Sequence, residues 1–390
     1  MTEPEPFDSL SPVHATPGNT PKIEDGIALC LSGGGYRAMV FHVGVLWRLN
    51  ETKLLSKIKR FSSVSGGSIT AGVLASRWSD LDFVDGVARN FVNAVVDPVR
   101  KMASTDVDLG AVFWGSVLPG TVADRVAKAY RKNLFGDTTL QDLPDERNGG
   151  PRFVFNATNL ESGVLFRFSK PYMGDYRVGR IEKPTVELAV AVAASSAFPP
   201  VLSPCVLDLR GATWKDDDEG NDLADKPGFR DKIKLTDGGV YDNLGLETAW
   251  KRYKTVLVSD AGGHVADDPD PDSDWLQQTA RVLKLIDNQV LSLRKRQVID
   301  SFTEKTRDGM YVGIRSEIAS FPVSVLNADP EKAIELADLG TRLDKLSTNE
   351  QKRLINWGYI VCDAGLRSHV PEAELGDGAS PLPFPDEPLV

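Results

Sequence analysis

Three short stretches of this 390-residue chain combine residue types that together could carry acyl-transfer chemistry. Three glycines stand in a row at 33–35, "SSVSGGS" at 62–68 places Ser65 before two glycines, and "LTDGG" at 235–239 contains Asp237. A glycine run marks close backbone approach or unusual dihedral angles. A serine among small residues is typical of a nucleophile elbow. An aspartate before two glycines is typical of a turn that directs a carboxylate into a cleft.

The glycine run at 33–35 is compatible with more than one chemistry. A phosphate-binding loop needs a lysine and a hydroxyl residue after its last glycine, whereas Tyr36, Arg37 and Ala38 follow here. A dinucleotide-binding turn needs spaced glycines and an acidic residue about 20 positions later, and the contiguous run lacks that spacing. The run therefore favours an oxyanion hole built from backbone amides.

Two kinds of residue are candidates for the base that would activate Ser65. The chain has four histidines, which are His14, His42, His264 and His369. Ser65, Asp237 and either His264 or His369 follow the chain order of the α/β-hydrolase triad. Alternatively, Asp237 acts directly, because partial burial raises the pKa of a carboxylate and makes it a better base.

Alternating strand and helix patterns would position these residues. Apolar strands predicted at 27–31 and 59–65 run into glycines and then into helices predicted at 36–50 and 68–78, which indicates a parallel sheet with helices on its faces. Further strands are predicted at 152–158, 232–236, 255–260 and 310–314. A long helix is predicted over 275–305 from apolar residues at three- and four-residue steps, namely Leu276, Ala280, Leu283, Ile286, Val290 and Leu293.

Composition excludes several classes of partner. Hydrophobic residues make up 41% and charged residues 26%, as in ordinary globular proteins. The net charge of −10 argues against nucleic acid as a partner, since phosphate contacts need a basic face.

The histidines are too scattered for a zinc site, and no cofactor is predicted. The chain shows neither an apolar signal core nor a membrane-length apolar window, which predicts a cytoplasmic protein.

The cysteines support the same compartment. Cys30, Cys205 and Cys362 are far apart and odd in number. They are therefore interpreted as free thiols, buried where their surroundings are apolar.

In combination, the three glycine- and serine-containing stretches resemble the patatin-like phospholipase family. The resemblance covers about residues 25–246 and includes "NATNLESGVLFRFS" at 156–169 and "AVAASSAFPPVLSP" at 191–204. It implies an α/β fold, a three-layer α/β/α sandwich with a mainly parallel central sheet. It also implies a serine acyl hydrolase that cleaves carboxylic ester bonds of lipids, phospholipids included, through a Ser-Asp dyad, with a lipid ester as substrate and without a metal.

The resemblance assigns roles to residues of this chain. Ser65 is implied as the nucleophile and Asp237 as the general base. The oxyanion hole is implied to consist of the amides of Gly33, Gly34 and Gly35. The supporting residues are Arg37, Gly66, Gly67 and Gly238, of which Arg37 occupies the basic position of the family's glycine-rich box.

The chain departs from the family pattern at two positions. Ala38 stands where the family usually has glycine, and Ser63 replaces the first glycine of the elbow. Neither change removes a group that does chemistry. Asp260 and Asp242 are two further candidates for the base, and Asp260 ranks second after Asp237. Either aspartate could instead stabilise a turn. A catalytically silent lipid-binding or storage protein is the contrasting function.

The chain is predicted as one catalytic domain between two flexible segments. Residues 1–24 form a disordered arm, residues 25–372 the patatin-like domain, and residues 373–390 a flexible tail. Within the domain, residues 25–246 carry the motifs, and residues 247–372 form a helical and strand extension without an assigned role.

The apolar stretch "LGAVFWGSVLPG" at 109–120 has two interpretations. It would form a cap over an acyl tunnel or a patch in peripheral contact with a membrane. Alternatively, it packs into the core, which is at least as well supported because large exposed apolar patches are uncommon.

Overall fold

The computed structural model describes residues 23–106, 121–216, 220–376, 378 and 380–389. The apolar stretch at 109–120 and almost all of the predicted arm therefore lie outside the described residues.

Most strands belong to one sheet. The strands are β1 (Glu24–Leu31), β2 (Ile58–Val64), β3 (Phe83–Val84), β4 (Val87–Ala88), β5 (Arg152–Asn159), β6 (Val164–Phe168), β7 (Tyr172–Asp175), β8 (Gly179–Glu182), β9 (Cys205–Asp208), β10 (Lys232–Asp237), β11 (Tyr253–Asp260) and β12 (Asp308–Gly313). The large sheet has the order β12-β11-β1-β2-β5-β6-β7-β8, with β10 paired to β5 and to β9. Neighbours from β12 to β5 are parallel, and the remaining pairs are antiparallel. β3 and β4 form a separate pair.

Helices connect the parallel strands. They are α1 (Gly35–Glu51), α2 (Gly66–Arg77), α3 (Asp97–Ala103), α4 (Val122–Tyr130), α5 (Leu188–Ser195), α6 (Gly239–Asp242), α7 (Glu247–Trp250), α8 (Trp275–Thr303), α9 (Pro330–Asp338) and α10 (Thr348–His369). The helices predicted at 36–50, 68–78 and 275–305 are confirmed as α1, α2 and α8.

Alternation along β1 creates a core on each face of the sheet. Leu29 and Leu31 join the larger core, which includes residues of α1, α2 and α10. Ala28 and Cys30 point to the other face and join a smaller core with residues of α7 and α8. Successive strand residues face opposite sides, so one sheet is covered by two helical layers. The predicted α/β/α sandwich with a mainly parallel central sheet is confirmed.

Helix α10 packs against α1 in the larger core, although no element was predicted for its residues. Trp357 is buried, and its Nε1 donates to the Ile314 carbonyl at 2.7 Å. The helices approach closely at Gly44, where an added methyl group would lie 1.9 Å from the Ile355 carbonyl oxygen. Since backbone cannot yield as a flexible side chain does, glycine is required at this crossing.

The segment predicted as a flexible tail packs on α10 where it is described. Asn356 donates to the carbonyls of Phe384 and Glu387 at 2.8 and 3.0 Å. Leu389 is fully buried, and the Phe384 ring meets Trp47 edge to face. Proline and glycine content indicated mobility, but a few apolar side chains and one buried amide hold this segment in place.

We expect Gly44→Ala to destabilise the fold by about 2 kcal/mol or more, because the methyl group would overpack the crossing of α1 and α10. Gly340→Ala is the matched control, since no atom lies within 4 Å of the added methyl group. Urea unfolding of both variants measures the difference. Equal stability of the two variants would show that α1 and α10 can move apart to accommodate the methyl group.

Candidate active site

The candidate site forms where two strands meet end to end beside β5. β2 pairs with the first half of β5, and its last paired residue, Val64, lies opposite Asn156. β10 pairs with the second half and ends at Asp237, opposite Ala157. Because β6 occupies the other edge of β5, β2 and β10 share one edge and run toward each other. Ser65, the residue after Val64, therefore meets Asp237 at this junction.

Ser65 lies in the sharp turn between β2 and α2. Its φ of 51° and ψ of −119° are rarely adopted by residues other than glycine. Strain of this kind clusters at functional sites. The Ser65 amide donates to Ser195 Oγ at 3.0 Å, and the residue is 8% exposed. The backbone of the turn is thus held by α5, and the residue keeps a small accessible surface.

Asp237 has one oxygen that is hydrogen-bonded and one that is open. Oδ1 accepts the Gly239 amide at 2.7 Å, whereas Oδ2 has no hydrogen-bond partner among the described residues. Burial raises the pKa of Asp237 to about 7; the nearby Asp287 charge also raises it, while the Gly239 amide and the Ser65 hydroxyl lower it. The Ser65 hydroxyl is thus close enough to stabilise the carboxylate, although no complete hydrogen bond joins the pair. Such bonds are often long before substrate binds.

The glycine run packs directly against the Ser65 turn. A methyl group at Gly66 would lie 2.1 Å from the Gly35 carbonyl oxygen. Gly35 itself has a φ of 62°, a left-handed conformation that favours glycine. Within the described ranges, the amides of Gly34 and Gly35 donate to no acceptor. Two unused donors therefore lie in the loop that contacts the serine turn.

Gly33 differs from the prediction that all three glycines provide oxyanion donors. Its amide donates to the Asn243 carbonyl at 3.1 Å, and an amide used in this way is not available to a substrate oxygen. Asn243 directly follows α6, the short helix after the Asp237 turn. The Gly33 amide therefore connects the glycine run to the aspartate turn.

Arg37 fixes the loops behind the glycine run. Its guanidinium donates to the carbonyls of Ala261 and Gly262, which follow β11, at 2.9 and 2.7 Å. It also donates to the carbonyls of Ala337 and Leu339, at the end of α9, at 2.6 and 2.7 Å. Burial lowers the pKa of Arg37 to about 10, so the side chain stays charged at neutral pH. The charged guanidinium of Arg37 therefore interacts with backbone carbonyls.

Ser195, at the end of α5, joins both halves of the candidate site. Its Oγ accepts the Ser65 amide at 3.0 Å and donates to the Asn156 carbonyl at 2.6 Å. Its own carbonyl accepts the Gly238 amide at 3.3 Å. The stretch at 191–204 was predicted only to resemble the family's small-residue helix, and Ser195 was not among the predicted site residues. The small-residue composition of that stretch was the one available signal.

Gly67 seats the first turn of α2 on the end of β1. Its amide donates to the Ser32 carbonyl at 3.1 Å. A methyl group at Gly67 would lie 2.4 Å from the Leu31 carbonyl oxygen. Helix α2 therefore begins in contact with β1, which places its amino terminus at the candidate site.

The two competing carboxylates are used to stabilise turns. Asp260 accepts the Gly262 amide at 2.9 Å through Oδ1 and the Tyr311 hydroxyl at 2.5 Å through Oδ2. Asp242 Oδ2 accepts the amide of Glu247, the first residue of α7, at 2.8 Å. This agrees with the alternative considered for both residues.

His42 is committed to a buried network beneath the glycine run. Its Nε2 lies 3.0 Å from the Ser32 carbonyl, and its Nδ1 lies 2.8 Å from Ser259 Oγ. A carbonyl only accepts, so Nε2 carries the proton and Nδ1 accepts from the serine. Burial lowers the pKa of His42 to about 4, which keeps the ring neutral. His14 lies outside the described residues.

The two exposed histidines form no hydrogen bond with the candidate serine or aspartate. His264 lies in the loop after β11, and His369 ends α10. Late α10 lies beside the end of α1 farthest from the glycine run, since Asp363 pairs with Arg48 there at 2.6 Å. His369 is thereby placed away from the site.

The described residues contain no group of three or more histidine, cysteine, aspartate or glutamate side chains that could hold a metal ion. None of their helices combines the length and the apolar character needed to cross a bilayer.

Comparison with known proteins defines the family. The family model for patatin-like phospholipases matches residues 29–250, which is more than half of the chain. The chain therefore belongs to the patatin-like phospholipase family. No curated protein matches the sequence.

Solved structures support the fold. Human GIVD cytosolic phospholipase A2 is similar with a TM-score of 0.52 and 14% identity, over 88% of this chain and 60% of that chain. Its complex with methyl gamma-linolenyl fluorophosphonate inhibitor and terbium chloride gives a TM-score of 0.50 and 14% identity, over 87% and 58%. This chain thus spans about 60% of the length of that protein's structure. At this identity the likeness concerns the fold.

We expect Asp237→Asn to stabilise the protein at about pH 8 but not at about pH 4. The pKa of Asp237 is about 7 in the folded state and about 3.9 in an unfolded chain. The wild type therefore loses stability as pH rises through the folded pKa, by up to about 4 kcal/mol. Urea unfolding at both pH values measures the gain.

Asp260→Asn is the control for this stability measurement. Two donors hold its carboxylate, so removing that charge offers no comparable gain. If Asp237→Asn raised the free energy of unfolding equally at both pH values, the result would contradict a buried carboxylate with a raised pKa.

Proposed function

We propose that this protein is a serine acyl hydrolase that cleaves carboxylic ester bonds of lipids, with Ser65 as nucleophile and Asp237 as general base. The observation that carries the proposal is the junction of β2 and β10, where a strained serine turn meets a buried carboxylate with an open oxygen. Membership of the patatin-like phospholipase family supports the lipid ester as substrate class.

The first chemical step forms an acyl-enzyme. Ser65 Oγ attacks the ester carbonyl carbon, and its proton passes to Asp237 Oδ2. The tetrahedral intermediate then collapses, the C–O bond of the ester breaks, and the leaving alcohol takes the proton from Asp237. A base with a pKa of about 7 is half ionised near neutral pH and returns its proton readily.

The second step releases the fatty acid. Water attacks the acyl carbonyl while Asp237 accepts its proton, and Ser65 Oγ leaves with a proton from the same carboxyl group. In both steps a single residue alternates between base and acid. No metal or cofactor takes part in this scheme.

The amides of Gly34 and Gly35 would stabilise the oxyanion in both steps. They are the members of the glycine run without an acceptor, and their loop touches the serine turn at Gly66. Loss of one oxyanion donor typically lowers turnover by about 10²- to 10³-fold. The Gly33 amide has a supporting role in this proposal, because Asn243 already accepts it.

Ser65→Ala and Asp237→Asn are each expected to lower ester hydrolysis by at least about 10³-fold, since they remove the nucleophile and the base. Initial rates with a p-nitrophenyl ester measure the loss. The human protein named above was solved with methyl gamma-linolenyl fluorophosphonate, and a fluorescent fluorophosphonate should label the wild type at Ser65 but not Ser65→Ala.

His264→Ala is the control that separates the dyad from a triad. It should keep wild-type turnover, because the imidazole is exposed and forms no hydrogen bond with Ser65 or Asp237. Loss of activity in this variant alone, with Asp237→Asn active, would replace the dyad with a triad. Absence of both hydrolysis and labelling in the wild type would instead favour a silent lipid-binding protein.

The pH dependence of kcat/KM should follow the ionisation of Asp237. Because the base must be deprotonated, kcat/KM should rise with pH through about 7 and then level off. The profile is measured with a soluble ester from about pH 5 to about pH 9, a range that brackets this ionisation. A profile that is already level at the acidic end would contradict a base with a raised pKa.

A further inference from the structure

The turn at Ser65 has a backbone conformation that the surrounding structure must hold in place. Its φ of 51° and ψ of −119° are close to those of the first central residue of a type II′ turn, a position that strongly favours glycine. A residue other than glycine keeps such a conformation only where its surroundings over-determine it. The groups bound to the Ser65 backbone therefore determine where its hydroxyl lies.

Two helices hold the Ser65 backbone from opposite sides. Its carbonyl accepts the amides of Ser68 and Ile69 at 2.8 and 3.1 Å, in the first turn of α2. Its amide donates to Ser195 Oγ at 3.0 Å, at the end of α5. The bonds to α2 join main-chain atoms and would form with any side chain. The bond to α5 depends on one hydroxyl group, that of Ser195.

The hydrogen bonds of Ser195 fix the orientation of this hydroxyl. Ser195 is fully buried, and its Oγ lies 2.6 Å from the Asn156 carbonyl, which can only accept. The single hydroxyl proton is therefore directed to Asn156, and a lone pair of Oγ faces the Ser65 amide. Asn156 also donates from Nδ2 to the Ser63 carbonyl at 2.9 Å. Together, Ser195 and Asn156 hold the chain both before the turn and within it.

The same end of α5 holds the turn of the proposed base, but through its main chain. The Ser195 carbonyl accepts the Gly238 amide at 3.3 Å, and the Ala197 carbonyl accepts the Asp237 amide at 3.0 Å. The last carbonyls of a helix lack intrahelical partners and are available for such bonds. One helix end therefore contacts both turns, with a side chain at the nucleophile and with carbonyls at the base.

We propose that Ser195 is a positioning residue for ester hydrolysis, because its hydroxyl keeps the Ser65 turn in the conformation that directs Oγ toward Asp237. The inference rests on the proposed function and extends it to a residue outside the dyad. Since Ser195 is fully buried, it acts through Ser65 and does not touch the ester. Removal of the hydroxyl alone leaves both carbonyl bonds to the Asp237 turn in place.

Ser195→Ala should lower kcat for a p-nitrophenyl ester by at least about tenfold, because displacing a reacting group by about 1 Å typically costs about 10²-fold. KM should stay within about twofold of the wild-type value, since the side chain does not contact substrate. The value of kcat/KM should still rise with pH through about 7. General loosening of the site would instead change KM or the pH profile together with kcat.

Ser196→Ala is the matched control. Ser196 is the next residue and is also buried, but its Oγ donates to the Val192 carbonyl within α5 at 2.8 Å. Loss of that hydroxyl removes no bond to either turn, so kcat should be that of the wild type. Ser195→Cys should lie between Ser195→Ala and the wild type, because a thiol is similar in shape to a hydroxyl but is a weaker acceptor.

Amide hydrogen exchange tests the same link without substrate. In Ser195→Ala the Ser65 amide should exchange at least about tenfold faster, because it has lost its acceptor. The amides of Asp237 and Gly238 should keep their protection, since carbonyls hold them. NMR spectroscopy of the full chain resolves these amides, and circular dichroism shows whether each variant is folded.

Each outcome supports or overturns the inference. Faster exchange at Ser65 together with a lower kcat and an unchanged KM supports it. Unchanged exchange at Ser65, unchanged kcat, or an equal fall in kcat for Ser196→Ala overturns it. If Ser195→Ala does not fold, Ser195→Cys is judged against Ser196→Ala by the same criteria. If the wild type hydrolyses no ester but the Ser65 amide still exchanges faster in Ser195→Ala, the hold of Ser195 on the turn stands and the proposed function fails.

Discussion

The meeting of β2 and β10 on one edge of β5 is the constraint on which the candidate site depends. A parallel strand and an antiparallel strand share that edge only if each stops where the other begins. The turn after Val64 and the turn after Asp237 are consequently forced together. Gly66 and Gly238 approach neighbouring backbone too closely for a side chain, and Ser195 links the two turns by accepting the Ser65 amide and donating to the Asn156 carbonyl.

The parts of this arrangement with local signals could be predicted from the sequence. Each motif lies at the end of a short apolar strand, and its glycines mark a turn that side chains would block, so the positions of Ser65 and Asp237 at strand ends followed from nearby residues. The layering also followed, since strand-helix alternation restricts the sheet to a few topologies. Long amphipathic segments such as α8 were correctly bounded, because many residues contribute to the periodic signal.

Features that depend on distant partners could not be predicted. The Gly33 amide lost its predicted role to the Asn243 carbonyl, an acceptor about 200 residues away in sequence. The carboxyl-terminal segment is rich in proline and glycine but is held by Asn356 of α10. For α8, periodicity indicated which side is apolar but not whether the protein covers it. Local patterns describe a surface, whereas its burial depends on the whole fold.

The hydroxyl groups around the junction explain how one serine can be distinct among several. Ser63 donates to the Val154 carbonyl, Ser68 donates to Ser63, and Ser195 donates to the Asn156 carbonyl. Each of these protons is therefore occupied by the backbone or by a neighbouring hydroxyl. Among these described hydroxyls, only that of Ser65 lowers the pKa of the buried Asp237 carboxylate. A buried carboxylate is stabilised by any available donor. Because the other hydroxyls already have acceptors, Ser65 is the donor left for Asp237, which is the selectivity that the proposed dyad would require.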